Sequence, residues 1–173
     1  MKPCILLAFI LFSAQVFPTE VTNGFDAHAG KSGTAHKVPV DSDMYFGCEL
    51  NIDEYRNDGK WGPSLSLHFI EHRTEEVVAI HLTRSQDDFL VFRVTHREKR
   101  INDYDERVLV LKDISDAIIM SMTWSNKVMY FDITDNAGQS SKFFLLVPNF
   151  SPEEATLSIS GAKGTYRCND QKI

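Results

Sequence analysis

The chain has 173 residues, of which 43% are hydrophobic and 24% charged, as in an ordinary globular domain, so a disordered chain is excluded. Its formal net charge of −6 argues against a nucleic-acid partner, because phosphate binding requires a basic surface. The basic segment from His96 to Arg100 is short and interrupted by Glu98, so we expect a solvated loop there.

The N-terminal segment has the pattern of a secretory signal peptide. Lys2 precedes an apolar run from Ile5 to Phe12, which predicts a signal peptide over residues 1–17. This run is too short for a transmembrane span, and no later segment reaches such a length. We therefore expect a secreted protein, extracellular or, in a bacterium, periplasmic. Residues 18–40 lack periodicity and predict a flexible N-terminal arm.

Residues 41–170 predict a single β-sandwich domain. Apolar side chains recur at every second position, which is typical of strands that bury one face. Within Pro63–His96, polar turns at Thr74–Glu76 and Arg84–Asp88 separate three such runs, which predicts an antiparallel meander. No segment has helical periodicity, so the fold class is all-β, a sandwich or barrel. The other predicted strands are Met44–Ile52, Glu106–Leu111, Ala117–Trp124, Lys127–Thr134, Ser141–Val147, Thr156–Ser160 and Gly164–Cys168.

One face of the meander carries polar side chains, and we take it as the candidate ligand-binding site. A tight hairpin at Thr74–Glu76 places His68 opposite His81, with Cβ atoms about 5 Å apart, close enough to share a ligand oxygen or a metal. The sequence offers no third metal ligand nearby, so a merely solvated polar face is the alternative, and we predict no metal and no cofactor. The candidate residues are His68, His72, His81 and Arg93.

The segment from His68 to His72 matches the H-x-x-E-H motif of inverted zinc metalloproteases. That chemistry requires a helix, which brings both histidines to one metal. In a strand the two lie about 13 Å apart and cannot share one zinc ion. The sequence also lacks a G-x-S-x-G elbow, a P-loop and a C-x-x-C motif. We therefore predict no catalytic residue and expect a non-enzymatic protein.

Two cysteines lie beyond the predicted signal peptide. In an oxidising compartment Cys48 and Cys168 are expected to form a disulfide that joins the first confident strand to the last. A reactive or metal-bound thiol is the alternative. Asn149 opens an Asn-Phe-Ser sequon, which predicts N-glycosylation if the host is eukaryotic.

Several segments resemble a galectin domain. The strands at Cys48–Ile52, Leu65–His72 and Glu76–His81 are similar to that family's opening, where a strand ending in Asn-Leu precedes one reading L-H-F-N-P-R and a valine-rich strand. Phe144–Gly161 resembles the family's closing corner and its L-x-I-x-G strand. Trp124–Asp132 resembles a hairpin that galectins share with laminin-G-like domains. The resemblance implies a concanavalin-type jelly roll.

The resemblance also implies a role for one histidine. His68 matches the galectin histidine that hydrogen-bonds a galactose hydroxyl. The positions of the family's asparagine and arginine hold Ile70 and His72, and its W-G-x-E-x-R motif is not found at the expected place. At best, Tyr104–Arg107 is a distant echo of that motif. The resemblance therefore supports the fold more strongly than it supports β-galactoside binding.

Three functions are compatible with these patterns. The first is a secreted recognition module that binds a glycan or glycoprotein through the polar face, and this is the interpretation we favour. The second is an extracellular protein–protein or structural module that uses exposed aromatic side chains. The third is an up-and-down barrel that carries an apolar ligand. The aromatic side chains relevant to the second function are Tyr45, Tyr55, Trp61 and Tyr104.

Overall fold

The computed structural model of the protein describes residues 22–57, 62–84, 90–97, 107–111, 117–135, 138 and 140–173, and at 84, 90–94, 107–111 and 135 it describes the backbone only. Within these ranges the regular secondary structure consists of β-strands, and no helix there is long and apolar enough to cross a membrane. The strands are β1 (Asn23–Asp26), β2 (Gly33–Pro39), β3 (Met44–Tyr55), β4 (Ser64–Glu71), β5 (Glu76–Arg84), β6 (Leu90–Arg97), β7 (Arg107–Leu111), β8 (Ala117–Ser125), β9 (Val128–Asp135), β10 (Ser140–Leu146), β11 (Glu154–Ser160) and β12 (Ala162–Lys172).

The strands form two six-stranded antiparallel sheets. We call them sheet A, with the order β1-β12-β3-β8-β9-β10, and sheet B, with the order β2-β11-β4-β5-β6-β7. The meander predicted from Pro63–His96 is β4-β5-β6, the central run of sheet B. The predicted sandwich is therefore confirmed, whereas a single closed barrel is not formed.

The core lies between the two sheets, as the period-two pattern requires. On β3 the residues Phe46 and Leu50 are fully buried, and on β4 Phe69 is fully buried. The rings of Phe46 and Phe69 meet edge to face across the sandwich, with centroids 6.4 Å apart. Each such buried side chain contributes about 1.5–3 kcal/mol through apolar burial.

The flexible arm predicted for residues 18–40 is wrong over the described part. β1 pairs with β12 at one edge of sheet A, and β2 pairs with β11 at one edge of sheet B. These segments lack strong periodicity because each is an edge strand with much of its surface in water. The described part of the sandwich thus includes strands within residues 23–39, which the prediction placed outside the domain. The predicted signal peptide over residues 1–17 lies outside the described residues.

Two hairpin turns set the registers of neighbouring strands. Between β8 and β9, Asn126 and Lys127 both have positive φ (50° and 64°), as a type I′ turn requires, so the turn lies one residue later than predicted. The Asp43 carboxylate accepts hydrogen bonds from Ser125 Oγ at 2.7 Å and from the Asn126 backbone N–H at 3.3 Å. The turn between β4 and β5 spans 72–75, where Glu75 has φ 58°.

The predicted disulfide between Cys48 and Cys168 is confirmed. The two residues are direct partners in the β3–β12 ladder, with Cα atoms 4.1 Å apart, and they close a loop with a sequence separation of 120. The bond therefore joins two neighbouring central strands of sheet A.

A buried carboxylate holds the corner that leads into β11. Glu71 is 1% exposed, and its Oε2 accepts a hydrogen bond from the Ser151 backbone N–H at 2.8 Å. Arg73 lies 3.3 Å from the other carboxylate oxygen. Asn149 is exposed in this corner, so the predicted glycosylation sequon is accessible at the surface. Phe150 is buried against Trp124, with ring centroids 5.7 Å apart.

Candidate functional site

The predicted site lies on the outer face of sheet B, on the side away from the core. Because Leu65, Leu67 and Phe69 of β4 point into the core, the intervening residues point outward, and the same alternation holds on the neighbouring strands. We call this surface the histidine face. Its centre comprises Ser64, Ser66, His68, Ala79, His81, Thr95, Thr156, Ser158 and Ser160, and Ile70, Val77, Thr83 and Glu154 lie around them.

The His81 ring is held from both sides by hydroxyl groups of adjacent strands. Its Nδ1 lies 2.8 Å from Ser66 Oγ on β4, and its Nε2 lies 2.9 Å from Thr95 Oγ1 on β6. Ser66 Oγ is in turn 3.3 Å from Ser64 Oγ. Contacts at both nitrogens fix the orientation of the imidazole, since rotation of the ring would break both of them.

The His68 ring lies beside His81, although the two residues are not direct strand partners. Their ring centroids are 5.5 Å apart, and Thr156 Oγ1 on β11 lies 3.3 Å from His68 Nδ1. In the β4–β5 ladder His81 pairs with Ser66, while His68 pairs with Ala79. The direct pairing predicted for the two histidines is wrong, because the turn lies at 72–75, earlier in the chain than the predicted Thr74–Glu76. They are diagonal neighbours, and diagonal side chains of this size still meet.

Burial keeps His68 uncharged near neutral pH. Loss of solvent around the ring, with a smaller contribution from the nearby His81, lowers the pKa of His68 from 6.5 to about 4. A neutral imidazole has one N–H donor and one acceptor nitrogen. This side chain therefore presents a mixed hydrogen-bonding group rather than a cation.

The other two predicted residues occupy different positions. His72 lies in the turn that follows β4, with a side chain 55% exposed, and its Nε2 is 3.0 Å from Glu154 Oε2 at the rim of the face. Lys37 pairs with the same carboxylate. Burial raises the pKa of Glu154, but the hydrogen bonds from Lys37 and His72 and their charges together outweigh it, so the pKa lies below its ordinary value. Arg93 pairs with His81 in the β5–β6 register, and its side chain lies outside the described residues.

Sequence reasoning missed the hydroxyl groups that orient the histidines. Ser66 and Thr95 follow from strand alternation, since they share the outward positions of β4 and β6. Thr156 does not, because it is 88 residues from His68 in the sequence and only the β4–β11 pairing brings the two together. Ser66, Thr156 and Ser158 are all buried, although they lie on the outer face of sheet B.

Within the described part of the chain, no group of three His, Cys, Asp or Glu side chains is placed to hold a metal ion. The H-x-x-E-H segment divides between a strand and a turn. His68 belongs to β4, His72 to the turn, and Glu71 points into the core to hold the Ser151 corner.

Comparison with known proteins identifies the architecture. No family model matches the sequence, and no curated protein matches it in sequence. The legume lectin-like domain from Entamoeba histolytica has a TM-score of 0.60 at 14% identity, over 91% of this chain and 86% of that domain. Lactose- and MES-liganded congerin II, a galectin, has a TM-score of 0.53 at 12% identity, over 82% of this chain and 100% of congerin. The fold is a lectin-like jelly roll.

The same jelly roll also occurs in an enzyme. Scytalido-glutamic peptidase, solved with a transition state analog inhibitor, has a TM-score of 0.54 at 8% identity, over 79% of this chain and 78% of the peptidase. Similarities at such low identity concern the fold, and one fold carries many functions. The function of this jelly roll therefore has to be argued from its own side chains.

Proposed function

We propose that the protein is a secreted, non-enzymatic recognition module that binds a glycan, free or on a glycoprotein, through the histidine face. One observation carries the proposal. The His68 and His81 rings lie 5.5 Å apart on the outer face of a six-stranded sheet, and each contacts a hydroxyl group of a neighbouring strand.

The chemistry of this pair suits sugar hydroxyl groups. A hydroxyl group donates one hydrogen bond and accepts others, and a neutral imidazole also offers one donor and one acceptor. Because burial holds His68 in the neutral form, it can serve either role towards a sugar. The hydroxyl contacts hold both rings in place before a ligand arrives, which reduces the entropy lost on binding.

The departures from the galectin motif bear on which glycan is bound. Ile70 and His72 stand where the galectin asparagine and arginine would be, and His72 is turned towards Glu154 at the rim. Arg93, adjacent to His81 in the ladder, is our predicted cationic contact. We therefore expect a hydroxyl pattern that differs from that of a simple β-galactoside.

Secretion is supported by two observations. The Cys48–Cys168 disulfide is the kind of cross-link that persists in oxidising compartments. The N-terminal sequence has the composition of a signal peptide.

A glycan array probed with the oxidised protein tests the proposal, with lactose as competitor and a chelator as control. We expect at least one defined glycan to bind, with the chelator having no effect. Blocking by lactose would indicate galectin-like specificity, and insensitivity to lactose would indicate a different sugar. If no glycan on the array binds and a protein partner co-purifies from the native source, the protein–protein function is favoured instead.

Substitutions in the histidine face should separate binding from folding. His68→Ala removes a hydrogen-bonding group worth about 1–3 kcal/mol when buried, and His81→Ala removes the ring that lies 5.5 Å from it, so we expect each to lower affinity about tenfold or more. His28→Ala is the matched control, because His28 is exposed and lies outside the face. Isothermal titration with the array hit measures the change, and circular dichroism checks the fold. Unchanged affinity in both variants would refute the site assignment.

The non-enzymatic part has a separate test, prompted by the peptidase that shares the jelly roll. We expect no cleavage of casein or of a mixed peptide library between pH 2 and pH 8. Specific cleavage that co-elutes with the protein and is lost in His68→Ala would make it a hydrolase.

A further inference from the structure

A cleft of about 330 Å³ lies on the outer face of sheet A, on the opposite side of the sandwich from the histidine face. Two parallel rows of residues cross the strands there. The first, which we call the aromatic row, comprises Tyr45, Thr123, Tyr130 and Phe144 of β3, β8, β9 and β10. The second, the polar row, comprises Gly47, Ser121, Asp132 and Lys142 of the same strands.

The register places both rows in line. Each member is the direct ladder partner of the next, so neighbouring members of a row lie about 4.8 Å apart and the two rows about 7 Å apart. The strip therefore extends about 15 Å across the four strands, with aromatic groups along one side and hydrogen-bonding groups along the other.

Two aromatic side chains of the cleft are exposed to water, whereas their sequence neighbours on the same strands point towards the core. Tyr130 is 48% exposed and Phe144 is 60% exposed, and their ring centroids lie 6.4 Å apart at 44°. Apolar rings kept in contact with water and set beside polar groups are a mark of interaction sites.

The polar row supplies a paired carboxylate and ammonium. Lys142 Nζ lies 3.0 Å from Asp132 Oδ2, and the Thr134 hydroxyl donates to Asp132 Oδ1 at 3.3 Å. The net charge of the pair is zero, and both groups remain strong hydrogen-bond donors or acceptors.

The third aromatic group depends on a neighbouring glycine. A Cβ built on Gly47 would lie 2.2 Å from the Tyr45 hydroxyl oxygen, so the phenol occupies the space above the glycine. Gly47 therefore permits the position of Tyr45 at the end of the cleft.

We propose that this cleft is a second saccharide-binding site, for a neutral pyranose. The apolar face of the sugar ring packs on Tyr130 and Phe144, and its hydroxyl groups bond to Asp132, Lys142 and Ser121. An apolar ligand would leave the charged pair unused, and a charged ligand would have to displace Lys142 or Asp132 from its partner. The site is independent of the histidine face, because its residues lie on the other sheet.

Nuclear magnetic resonance titration of the oxidised protein tests this proposal. The probes are methyl β-D-galactopyranoside, methyl β-D-glucopyranoside, methyl α-D-mannopyranoside, lactose and cellobiose, each up to about 50 mM, which fills a site with a Kd of about 1 mM. We expect at least one probe to shift the ring signals of Tyr130 and Phe144. No shift with any probe would overturn the proposal.

Variants give the test its specificity. Tyr130→Ala, Phe144→Ala and Asp132→Asn should each weaken binding about tenfold, the loss expected when a stacking or charged contact is removed. Leu146→Ala is the matched control, because Leu146 is 67% exposed on the same face of β10 but outside the cleft, and it should bind normally. Equal loss in Leu146→Ala, or none in the cleft variants, would overturn the assignment.

Two further variants complete the test. Gly47→Ala should displace Tyr45, whose far end can move, and so change affinity while the fold is retained. The double variant His68→Ala/His81→Ala should leave cleft binding intact, so failure of this proposal and failure of the proposed function give different results. Binding of an apolar dye in the cleft that none of the sugars displaces would identify an apolar site and overturn the proposal.

Discussion

His68 shows how the environment of one residue sets its charge. In water this side chain would be partly charged near pH 6.5, whereas burial beside His81 lowers its pKa to about 4. Sequence alternation was enough to place it on an outward face with His81. The depressed pKa could not be predicted, because it depends on how completely the strands around it exclude water.

The lowered pKa makes the stability of the fold depend on pH. Above pH 6.5 His68 is neutral in both the folded and the unfolded protein, so its protonation does not change the free energy of unfolding there. Between pH 6.5 and pH 4 the unfolded chain binds a proton that the native protein does not, so the free energy of unfolding falls on acidification and levels off below pH 4. The shift corresponds to roughly 3 kcal/mol.

Chemical denaturation of the wild type and of His68→Gln at a series of pH values checks this prediction. The difference between the two should change by that amount between pH 6.5 and pH 4, and groups common to both proteins cancel. Parallel stability profiles would contradict it. If His68 is the contacting group, glycan affinity should also be flat between pH 5 and pH 7.5.

At the scale of elements, turns decide which side chains meet. The four-residue turn between β4 and β5 sets a register in which His68 and His81 are diagonal neighbours. The sequence places the turn near Thr74–Glu76, whereas the structure has it at 72–75, where Glu75 adopts positive φ without being glycine or asparagine, so no residue type marks its position. A shift by two residues keeps each side chain on its face, which explains why the predicted face survives the error in register.

The link between β11 and β12 gives a prediction at this scale. Gly161 has φ 62°, and a Cβ there would lie 2.7 Å from the Arg56 carbonyl oxygen and 3.0 Å from Pro63 Cα. Backbone atoms cannot give way as a flexible side chain can, so Gly161→Ala should destabilise the fold by about 2–4 kcal/mol.

Gly33→Ala is the control for Gly161→Ala, since a Cβ at Gly33 meets nothing within 4 Å. We expect it to change stability by less than about 1 kcal/mol. Thermal denaturation compares the two variants, and equal melting temperatures would refute the role of the Gly161 link.

At the scale of the whole molecule, strand β3 is held both by the disulfide and by packing in the core. β3 lies between β8 and β12, so Cys48 ties the last strand to the middle of sheet A while Phe46, beside it, packs against Phe69 of sheet B. The cross-link spans most of the chain and therefore restricts the unfolded state strongly.

Removal of the cross-link should lower stability without changing the fold. In the chain-entropy model a loop of this length contributes about 4–5 kcal/mol. The double variant Cys48→Ser/Cys168→Ser should lose most of that amount in guanidinium denaturation relative to the oxidised protein. Reduction of the wild type should bring it close to the variant. Equal stability of oxidised and reduced protein would contradict this account.

The sequence by itself determined which side chains face the core and which face water. Alternation is a local property of a strand, so the apolar positions of β3, β4 and β5, the polar position of His68 and the pairing of two lone cysteines were all predictable. The galectin-like segments also indicated the jelly roll that the comparisons confirm.

Only the tertiary structure decided which strands are neighbours. The edge strands β1 and β2 are held by long-range pairing that no local pattern reveals, and the contact of Thr156 with His68 depends on the same pairing. The row from Tyr45 to Phe144 crosses four strands, so its residues become one surface only when sheet A is assembled. Strand order and register arise from non-local contacts, and a site built across strands is therefore settled only by the folded molecule.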